Sequence, residues 1–321
     1  MSSPILRLVA QRVLLGLVLL LAVSVLIFAG TQILPGDVAQ AILGQSATPE
    51  ALANLREQLG LNDPAWLRYV HWLWGILHGD FGTAQSSGLD IATSISTRLK
   101  NTLFLAACAA IVAVPLAIIL GLIAVRYRNG FVDKLISGLA LASTSFPEFF
   151  IGYVLIFVFA VHWQIFPSIS TVDDSTPFLE RLQAVVLPAT ALTLVVLAHM
   201  MRMTRAAILN VMQSAYIETA ELKGLKAFDI IRKHAFPNAI APVVNVVMLN
   251  LAYLIVGVVV VEVIFVYPGM GTLLFRAIQA SDYTVINGVV LITIMAIGLV
   301  TMVMDFTYPL LDPRISHQRW D

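Results

Sequence analysis

The sequence is poor in charge, since only 12% of its 321 residues are Asp, Glu, Lys or Arg, against roughly 25% in soluble globular domains. This scarcity excludes an ordinary water-soluble enzyme. The 19 basic and 19 acidic residues cancel, so no net charge attracts nucleic acid, and we predict no nucleic-acid partner. A single cysteine, Cys108, excludes an intrachain disulfide framework and a four-thiolate metal site.

Several motifs that carry chemistry are also missing. The sequence contains no Gly-x-x-x-x-Gly-Lys-Ser/Thr phosphate loop, so it lacks the usual means of binding ATP. It shows no convergent set of nucleophile and base, and its histidines lack metal-ligand spacing. We therefore predict no catalytic residue, no metal ligand and no cofactor in this chain.

What the sequence does contain is hydrophobic residues, at 59%. They form six uncharged runs, each long enough to cross a bilayer as a helix of about 20 residues. A helix satisfies its own backbone hydrogen bonds, which hydrocarbon cannot do. The runs are 13–36, 101–125, 149–172, 182–201, 234–261 and 283–304. The sequence thus predicts an all-α integral membrane protein with six transmembrane helices.

Two of these runs need interpretation. The first is too long for a signal-peptide core and is followed by no convincing small-x-small cleavage site, so we predict a retained anchor. The third span is predicted to begin near Leu135, because residues 135–147 are also uncharged, and to leave the membrane at the turn His162–Pro167. This interpretation places the carboxylate of Glu148 inside a span.

The distribution of Lys and Arg predicts the orientation, since basic residues near spans remain in the cytoplasm. With the N-terminus inside, the inner segments hold 13 of the 19 basic residues. Four of the other six lie in the long first loop, where the rule is weak. Both termini are therefore predicted to be cytoplasmic.

The outer loop 34–100 is long enough to fold on its own. Thr48 before Pro49 starts a predicted helix that ends at Gly60, and Asp63 starts a second one that ends near Gly79. The second helix is crowded with aromatic residues, namely Trp66, Tyr69, Trp72 and Trp74. These rings fit either an anchor at the membrane interface or a surface for substrate or partner.

The cytoplasmic loop 202–233 is predicted to form a helical hairpin. Apolar residues recur at helical spacing on both sides of Gly224 until Pro237. They are Ile208, Met212, Tyr216 and Ala220, then Leu225, Phe228, Ile231 and Ala235. Such an apolar stripe fits a groove on another protein, or it lies on the inner leaflet.

Polar groups inside the membrane are costly and are therefore functional candidates. Glu148 follows Pro147 and the hydroxyl-rich run 143–145, so this segment either lines a pathway or holds a structural carboxylate bonded to a neighbouring helix. Glu262 ends the fifth span and forms either an outer gate, a contact for a binding protein, or a cap for the next turn. The pathway or gate candidates are Ser143, Ser145, Glu148, Glu262 and Phe265.

The segment Glu218-Thr219-Ala220, followed by Gly224 and Pro237, resembles the cytoplasmic motif of ABC importer permeases. That motif is Glu-Ala-Ala, then Gly four positions after the last Ala, then Pro thirteen positions after the Gly. Thr219 departs from the motif, whereas the Glu, Gly and Pro positions keep their spacing.

Short matches along nearly the whole chain narrow the resemblance to the first membrane subunit of the dipeptide, oligopeptide and nickel permeases. They include Leu34-Pro35-Gly36-Asp37, Gly79-Asp80-Phe81-Gly82, Asn101-Thr102-Leu103, Pro268-Gly269 with Gly271, and Leu311-Asp312-Pro313-Arg314-Ile315. The resemblance implies the type I ABC importer permease fold in a bacterial cytoplasmic (inner) membrane. It divides the chain into 1–33, 34–100, 101–308 with a coupling hairpin at 205–237, and a tail 309–321.

The resemblance also implies partners. Two ATPase subunits would bind ATP and magnesium, a second homologous permease would complete the pathway as a heterodimer, and an extracytoplasmic protein would deliver substrate. The residues that it assigns to coupling are Glu218, Thr219, Ala220, Gly224, Leu225, Phe228 and Pro237. In this assignment Glu218 makes polar contacts, Gly224 supplies a turn where a side chain would clash or resist the backbone angles, and Pro237 ends the second helix.

The substrate that the resemblance favours is a di- or oligopeptide, with nickel, glutathione or a modified peptide as alternatives. An ATP-independent secondary transporter or channel is a more distant alternative, because such proteins carry inverted repeats and several ionisable groups at the midplane. Glu148 is the only ionisable residue predicted within a span in this way, and no internal repeat is visible.

Overall fold

The computed structural model describes residues 4–33 and 38–311. The entry motif at 34–37 and the tail motif from Asp312 lie outside the described residues. The α-helices in chain order are α1 (Pro4–Ile33), α2 (Val38–Leu43), α3 (Pro49–Gln58), α4 (Ala65–Leu77), α5 (Ile91–Arg126), α6 (Phe131–Ser145), α7 (Glu148–Leu155), α8 (Phe178–Met212), α9 (Ala215–Leu222), α10 (Ala227–Ile230), α11 (Phe236–Ile264), α12 (Met270–Gln279) and α13 (Tyr283–Leu311).

Five stretches are long and apolar enough to cross a membrane, and a sixth exists if the bent pair α6 and α7 counts as one span. The five are Val9–Ile33, Ile91–Arg126, Phe178–Met212, Ala227–Ile255 and Tyr283–Met304. The predicted all-helical, multi-span architecture is thus confirmed. The second span begins ten residues earlier than the uncharged run suggested, because polar residues 91–100 continue the same helix.

The third span differs most from the prediction. Its first helix begins at Phe131, before the predicted start at Leu135, and the chain bends by 101° between α6 and α7. Pro147 causes the break, since a proline forces the preceding residue out of the helical region, and Phe146 is extended at φ −95° and ψ 136°. The second helix continues through π-helical turns and ends at His162, at the predicted exit turn.

The helices form two compact units. The first comprises residues up to Thr102 together with Pro268–Gly298. In it α4 packs on α1 through aromatic rings: the Tyr69 ring centroid lies 5.3 Å from Phe28 and 6.0 Å from Trp72. Ser24 Oγ donates to a carbonyl of α1, so the Tyr69 hydroxyl donates to Ser24 at 2.8 Å. The polar edge of the ring is thereby satisfied.

The helices of the outer loop follow their predicted signals with one exception. Thr48 Oγ1 accepts the backbone N–H of Ala51 at 3.2 Å and caps α3, as predicted. The N-cap of α4, however, is Pro64, and Asp63 makes no side-chain cap bond there.

A helix that the sequence did not reveal, α12, follows the fifth span. The glycine-rich segment 268–271 indicated only a turn, but Met270 starts an amphipathic helix whose buried face joins the core of the first unit. Two bonds fix its start: Asn101 Nδ2 donates to Pro268 O, and Thr102 Oγ1 accepts the Met270 N–H, each at 2.8 Å. The sequence of α12 does have apolar residues at helical spacing, but over only ten residues this pattern does not distinguish a helix from a loop.

The second unit comprises Leu103–Tyr267 with the residues from Leu299. The helix α8 contacts α6, α7 and α11, and its buried face forms much of the core. At Gly121 a Cβ atom would lie 3.0 Å from Thr204 Cγ2, so the glycine allows α5 and α8 to approach closely. Small residues commonly have this role where membrane helices pack.

Asp282 organises the outer segment of the first unit. It is fully buried, and its Oδ2 accepts both the backbone N–H and the hydroxyl of Ser86 at 2.9 and 2.8 Å. Its Oδ1 accepts the N–H of Val285 in the first turn of α13. The carboxylate therefore joins loop 82–90 to the start of that helix.

We predict that Asp282→Ala frees this loop, because the N–H and hydroxyl of Ser86 lose the buried acceptor that holds them. Amide hydrogen exchange at residues 84–89 should accelerate about tenfold, which corresponds to roughly 1.4 kcal/mol. Asp174→Ala, which changes an exposed aspartate of the loop before α8, is the control and should leave that exchange unchanged. Equal exchange in both variants would contradict the assigned role.

Candidate functional site

The predicted cytoplasmic hairpin is present as two short helices. α8 ends at Met212, the chain turns at residues 213–214, and α9 runs from Ala215 to Leu222. After Gly224 the chain enters α10, then a π-helical segment Ile231–Ala235, and then α11. The break in the apolar pattern at Gly224 thus predicted the position of the turn correctly.

Gly224 is needed for its backbone conformation. Its φ is +74°, in the left-handed region that favours glycine, and its N–H bonds to Glu221 O at 2.9 Å to close α9. A Cβ atom built here would meet nothing within 4 Å. A side chain at this position is therefore disfavoured by the backbone angles, as expected. It would not clash with any described residue of this chain.

The apolar stripe predicted for the hairpin is divided between two faces. One set lies in a core with α5 and α11, so Ala220, expected at the partner surface, is only 6% exposed. The other set is exposed, with Phe228 at 58%, and Leu222, which was not part of the predicted stripe, is 83% exposed beside it. We call Tyr216, Leu222, Leu225 and Phe228 the apolar tip of the hairpin.

The division follows from the break at residues 213–214. Ile208 and Met212 belong to the end of α8 rather than to the hairpin, so the helical period does not run from Ile208 to Ala220 without interruption. Leu222 lies outside the periodic pattern, so the pattern did not predict its exposure. Finding it would have required knowing that one helix ends at Met212 and a new one starts at Ala215.

The polar residues of the hairpin lie around this tip. Glu218 and Thr219 are exposed, and Thr219 Oγ1 donates back to Ala215 O at 3.0 Å. Lys223 and Lys226 are exposed beside Gly224. Exposed polar residues thus lie next to the exposed apolar tip along the chain.

Pro237 does not end the second helix, contrary to the prediction. It lies in the first turn of α11, which continues directly from the π-helical segment. Ala227–Ile255 nevertheless forms one continuous membrane-length stretch. Pro237, which has no backbone N–H to donate, lies inside it directly after the wider π-helical turn.

An ion pair fixes the inner end of α8 close to the hairpin. Arg205 Nε and one terminal nitrogen donate to the two carboxylate oxygens of Asp133, both at 2.8 Å. Asp133 is buried and also accepts the backbone N–H of Asn129. This bidentate geometry joins α6 to α8, and no pattern in the sequence predicted the pairing of these two charges.

Glu148 lies at the break of the third span as the first residue of α7. It is half-buried, and the Tyr253 hydroxyl of α11 donates to its Oε1 at 2.6 Å. Beside it Phe146 and Phe150 stack with ring centroids 5.3 Å apart, and both are exposed. A carboxylate bonded to a neighbouring helix is thus present at the break, with exposed aromatic residues on the same short helix.

The hydroxyls before the break bond to their own helix. Ser143 donates to Leu139 O at 2.7 Å, and Ser145 donates to Leu141 O at 3.0 Å. Such back-bonds satisfy the hydroxyls and compete with the backbone ladder at a helix end. Ser145 remains exposed, and Ser143 is half-buried.

Glu262 and Phe265 are both 0% exposed, so neither side chain is at the surface of the chain in this conformation. The backbone closes a turn here, as Tyr267 N–H bonds to Glu262 O and Ser170 N–H bonds to Phe265 O, both at 2.8 Å. Burial raises the pKa of the Tyr267 phenol.

Within residues 4–33 and 38–311, no group of three His, Cys, Asp or Glu side chains is placed to hold a metal ion. His199 instead pairs with Asn250 of α11, at 3.3 Å.

An all-helical chain with five or six membrane-length stretches and an exposed cytoplasmic hairpin has the architecture of a transport permease. Residues 89–317 match the family described as "Binding-protein-dependent transport system inner membrane component". Residues 5–98 match its N-terminal companion, "Binding-prot-dependent transport system membrane comp, N-term". The chain belongs to this family of inner-membrane permease subunits of ABC importers.

Relatives match over nearly the whole length. The chain is 35% identical to the dipeptide transport system permease protein DppB of Escherichia coli, covering 95% of this chain and 98% of the relative. It is 34% identical to a putative peptide transport system permease protein of Brucella abortus, covering 99% and 100%. It is also 32% identical to a probable peptide ABC transporter permease of Sinorhizobium fredii, covering 96% and 99%.

A solved structure shares the fold. A chain of the MetNI methionine ABC transporter in an inward-facing conformation aligns with a TM-score of 0.52 and 17% identity, covering 69% of this chain and 96% of that chain. This likeness shows the fold alone. The family membership shows a multi-pass bacterial inner-membrane permease without an ATPase site or cofactor of its own, which works with ATPase and substrate-binding partners.

We predict that Asp133→Ala lowers the stability of the purified protein by roughly 3 kcal/mol, because it leaves the Arg205 guanidinium without its carboxylate. The double variant Asp133→Ala with Arg205→Met should recover part of the loss. Thermal unfolding in detergent measures both. Lys233→Ala, which removes a 3.9 Å pair with Asp229 on the exposed hairpin, is the control and should change stability little. A loss in Asp133→Ala no larger than in this control would contradict the role of the pair.

Proposed function

We propose that this chain forms half of the translocation pathway for di- or oligopeptides and couples it to ATP hydrolysis through the hairpin around Gly224. The observation that carries the peptide assignment is the full-length similarity to permeases named for dipeptide and peptide transport. A second homologous permease supplies the other half, two ATPase subunits supply the energy, and an extracytoplasmic protein delivers the peptide.

The apolar tip supports the coupling role. Four large side chains stand exposed on a segment that faces the cytoplasm, with Leu222 and Phe228 the most exposed of them. Exposed apolar clusters with polar rims mark sites of protein contact, and buried aromatic anchors dominate the energy of such contacts. In the proposed complex the tip enters a groove of an ATPase subunit, with Glu218 and Thr219 at the rim.

The buried face of the hairpin explains how motion would be transmitted. Ile217, Ala220 and Ile230 pack in one core with Val125 of α5 and Val243 of α11. Because close-packed interiors move as units rather than deforming continuously, a displacement of the tip would carry these helices with it. In this proposal Ala220 couples by packing inside the chain, and Pro237 lies at the position where the hairpin passes into α11.

Glu148 supports the pathway role. It is half-buried at a helix break in a span and accepts the hydroxyl of Tyr253, which is 48% exposed. We propose that Glu148 and Tyr253 line the pathway and that the carboxylate meets the ammonium group of an entering peptide. Aromatic walls are suited to passing side chains of varied shape, because their contacts with a substrate are mostly non-directional.

For the hairpin we predict that Gly224→Trp abolishes ATP-coupled uptake although the protein still inserts into the membrane. A tryptophan resists φ +74° and projects from the apolar tip towards the partner. Gly224→Asn should keep most of the activity, since asparagine tolerates the left-handed region. Peptide uptake by proteoliposomes containing the whole transporter measures both, and normal uptake by Gly224→Trp would refute the assignment.

A second variant tests whether the apolar tip contacts the ATPase or the membrane surface. Phe228→Asp should lower the recovery of ATPase subunits with the purified permease at least tenfold, because it places a charge in an apolar contact. Tyr127→Asp changes another exposed aromatic residue of the cytoplasmic side and should leave recovery unchanged. Full recovery with Phe228→Asp would favour a hairpin that lies on the inner leaflet.

For the pathway we predict that Glu148→Gln raises the KM for dipeptides about tenfold, since loss of one charge contact costs roughly 1.4 kcal/mol. The variant keeps an oxygen that accepts the Tyr253 hydroxyl, so the local geometry is maintained. Tyr253→Phe keeps the charge and removes the bond, and it should leave KM within about twofold. Unchanged uptake of every dipeptide by Glu148→Gln would assign the carboxylate a structural role.

A further inference from the structure

A groove of about 680 Å³ lies in the first unit and includes no residue of the hairpin or of the pathway candidates. Its walls are the loop 84–90, the first two turns of α5, helix α12 and the start of α13. The N-terminal ends of α5 and α13 are their outer ends, and α12 follows the outer end of the fifth span. The groove therefore lies on the extracytoplasmic side of the membrane, and we call it the outer groove.

The loop that forms one wall of the outer groove is firmly held. Hydrogen bonds close it from Ala84 N–H to Leu89 O at 2.8 Å and from Gly88 N–H to Ala84 O at 2.7 Å. The buried carboxylate of Asp282 also holds Ser86 in the middle of the loop. On this loop the Leu89 side chain is 63% exposed. A contact made by a prearranged loop costs little conformational entropy, so Leu89 is suited to serve as an apolar anchor.

Two helices of the lining supply positive charge. Helix α12 contributes the exposed Arg276, and α5 contributes the half-buried Arg98. The two aspartates of the lining are engaged within the chain. Asp282 is fully buried, and Asp90 Oδ2 accepts the N–H and hydroxyl of Thr93 at 2.8 and 2.6 Å at the start of α5, where the helix dipole offsets its charge. The outer groove therefore presents guanidinium groups, which complement a carboxylate.

Positive charge is scarce on this side of the chain. Beyond the first loop, Arg181 and Arg276 are the only basic residues of the outer segments, since Lys and Arg resist translocation. Arg181 stacks over the Phe104 ring, 5.2 Å from its centroid, and so contributes to packing. Arg276 is exposed instead, which points to recognition of a partner rather than to packing.

The exposure of the walls indicates the size of the partner. Sites for small molecules enclose most of the ligand surface, but Ser86, Leu89 and Arg276 are all exposed, so a small molecule here would stay largely hydrated. A protein surface covers such residues from outside and excludes water. Of the partners that the family membership implies, the substrate-binding subunit works on this side of the membrane, whereas the ATPase subunits work on the cytoplasmic side.

We propose that the outer groove is a docking site for the extracytoplasmic substrate-binding subunit. A carboxylate of that subunit pairs with Arg276, and an apolar side chain beside it packs against Leu89. The inference deepens the proposed function, since it rests on delivery of the substrate by such a subunit, but it does not require the substrate to be a peptide. Because the ion pair forms at an exposed rim, it mainly raises the association rate and weakens as salt screens it.

The test uses the assembled transporter in lipid nanodiscs and the purified substrate-binding subunit that supports uptake by it, with surface plasmon resonance as the readout. Arg276→Glu should weaken binding about tenfold, chiefly through slower association, and Leu89→Asp should weaken it by a similar factor. Arg276→Gln should reduce the salt dependence of the association rate. Arg56→Glu makes the same charge reversal at an exposed residue of α3 outside the groove and should leave binding unchanged.

Other results would overturn the inference. Equal binding by the wild type, Arg276→Glu and Leu89→Asp would place the docking site elsewhere. Loss of the second permease from both variants would assign the groove to a contact between permeases. Binding of free dipeptide without the subunit, abolished by Arg276→Glu, would assign the groove to substrate.

The peptide assignment fails separately. A wild-type transporter that binds the subunit through Arg276 but takes up no peptide would refute that assignment and would still support the docking site.

Discussion

The bidentate pair between Asp133 and Arg205 is the contact on which the cytoplasmic half of this permease depends. Neither charge is tolerated alone where α6 and α8 pack, because an unpaired ion in a low-dielectric setting is costly. Together, with both bonds at 2.8 Å, they fix the last two turns of α8. The hairpin begins directly after those turns, so its orientation depends on this pair.

The hairpin that follows α8 has two different faces. Its inner face shares a core with α5 and α11, and its outer face exposes the apolar tip. The same short segment thus belongs both to the fold of the permease and to a surface suited to another subunit. The left-handed turn at Gly224 makes this possible, because it reverses the chain without a side chain at the tip of the turn.

Sequence patterns predicted the features that depend on local chemistry. Uncharged runs located the spans, and Thr48, Gly60 and Gly224 marked helix ends through capping and left-handed geometry. Features that depend on distant contacts were not predictable in this way. Burial of Ala220 and Glu262, and the pairing of Asp133 with Arg205, arise from packing between helices far apart in sequence. The prediction for Pro237 was wrong because proline usually ends a helix, whereas here a π-helical turn leads into it and the helix continues.

The membrane also explains where the remaining polar groups lie. In the second unit they meet partners from neighbouring helices, as Glu148 meets Tyr253 and His199 meets Asn250. In the first unit the buried carboxylate of Asp282 likewise accepts the N–H and hydroxyl of Ser86 and the N–H of Val285. Hydrocarbon cannot supply such partners. A buried polar group is therefore stable in this chain only where another part of the chain is held against it, so each of these bonds also fixes the position of the helix or loop that supplies the partner.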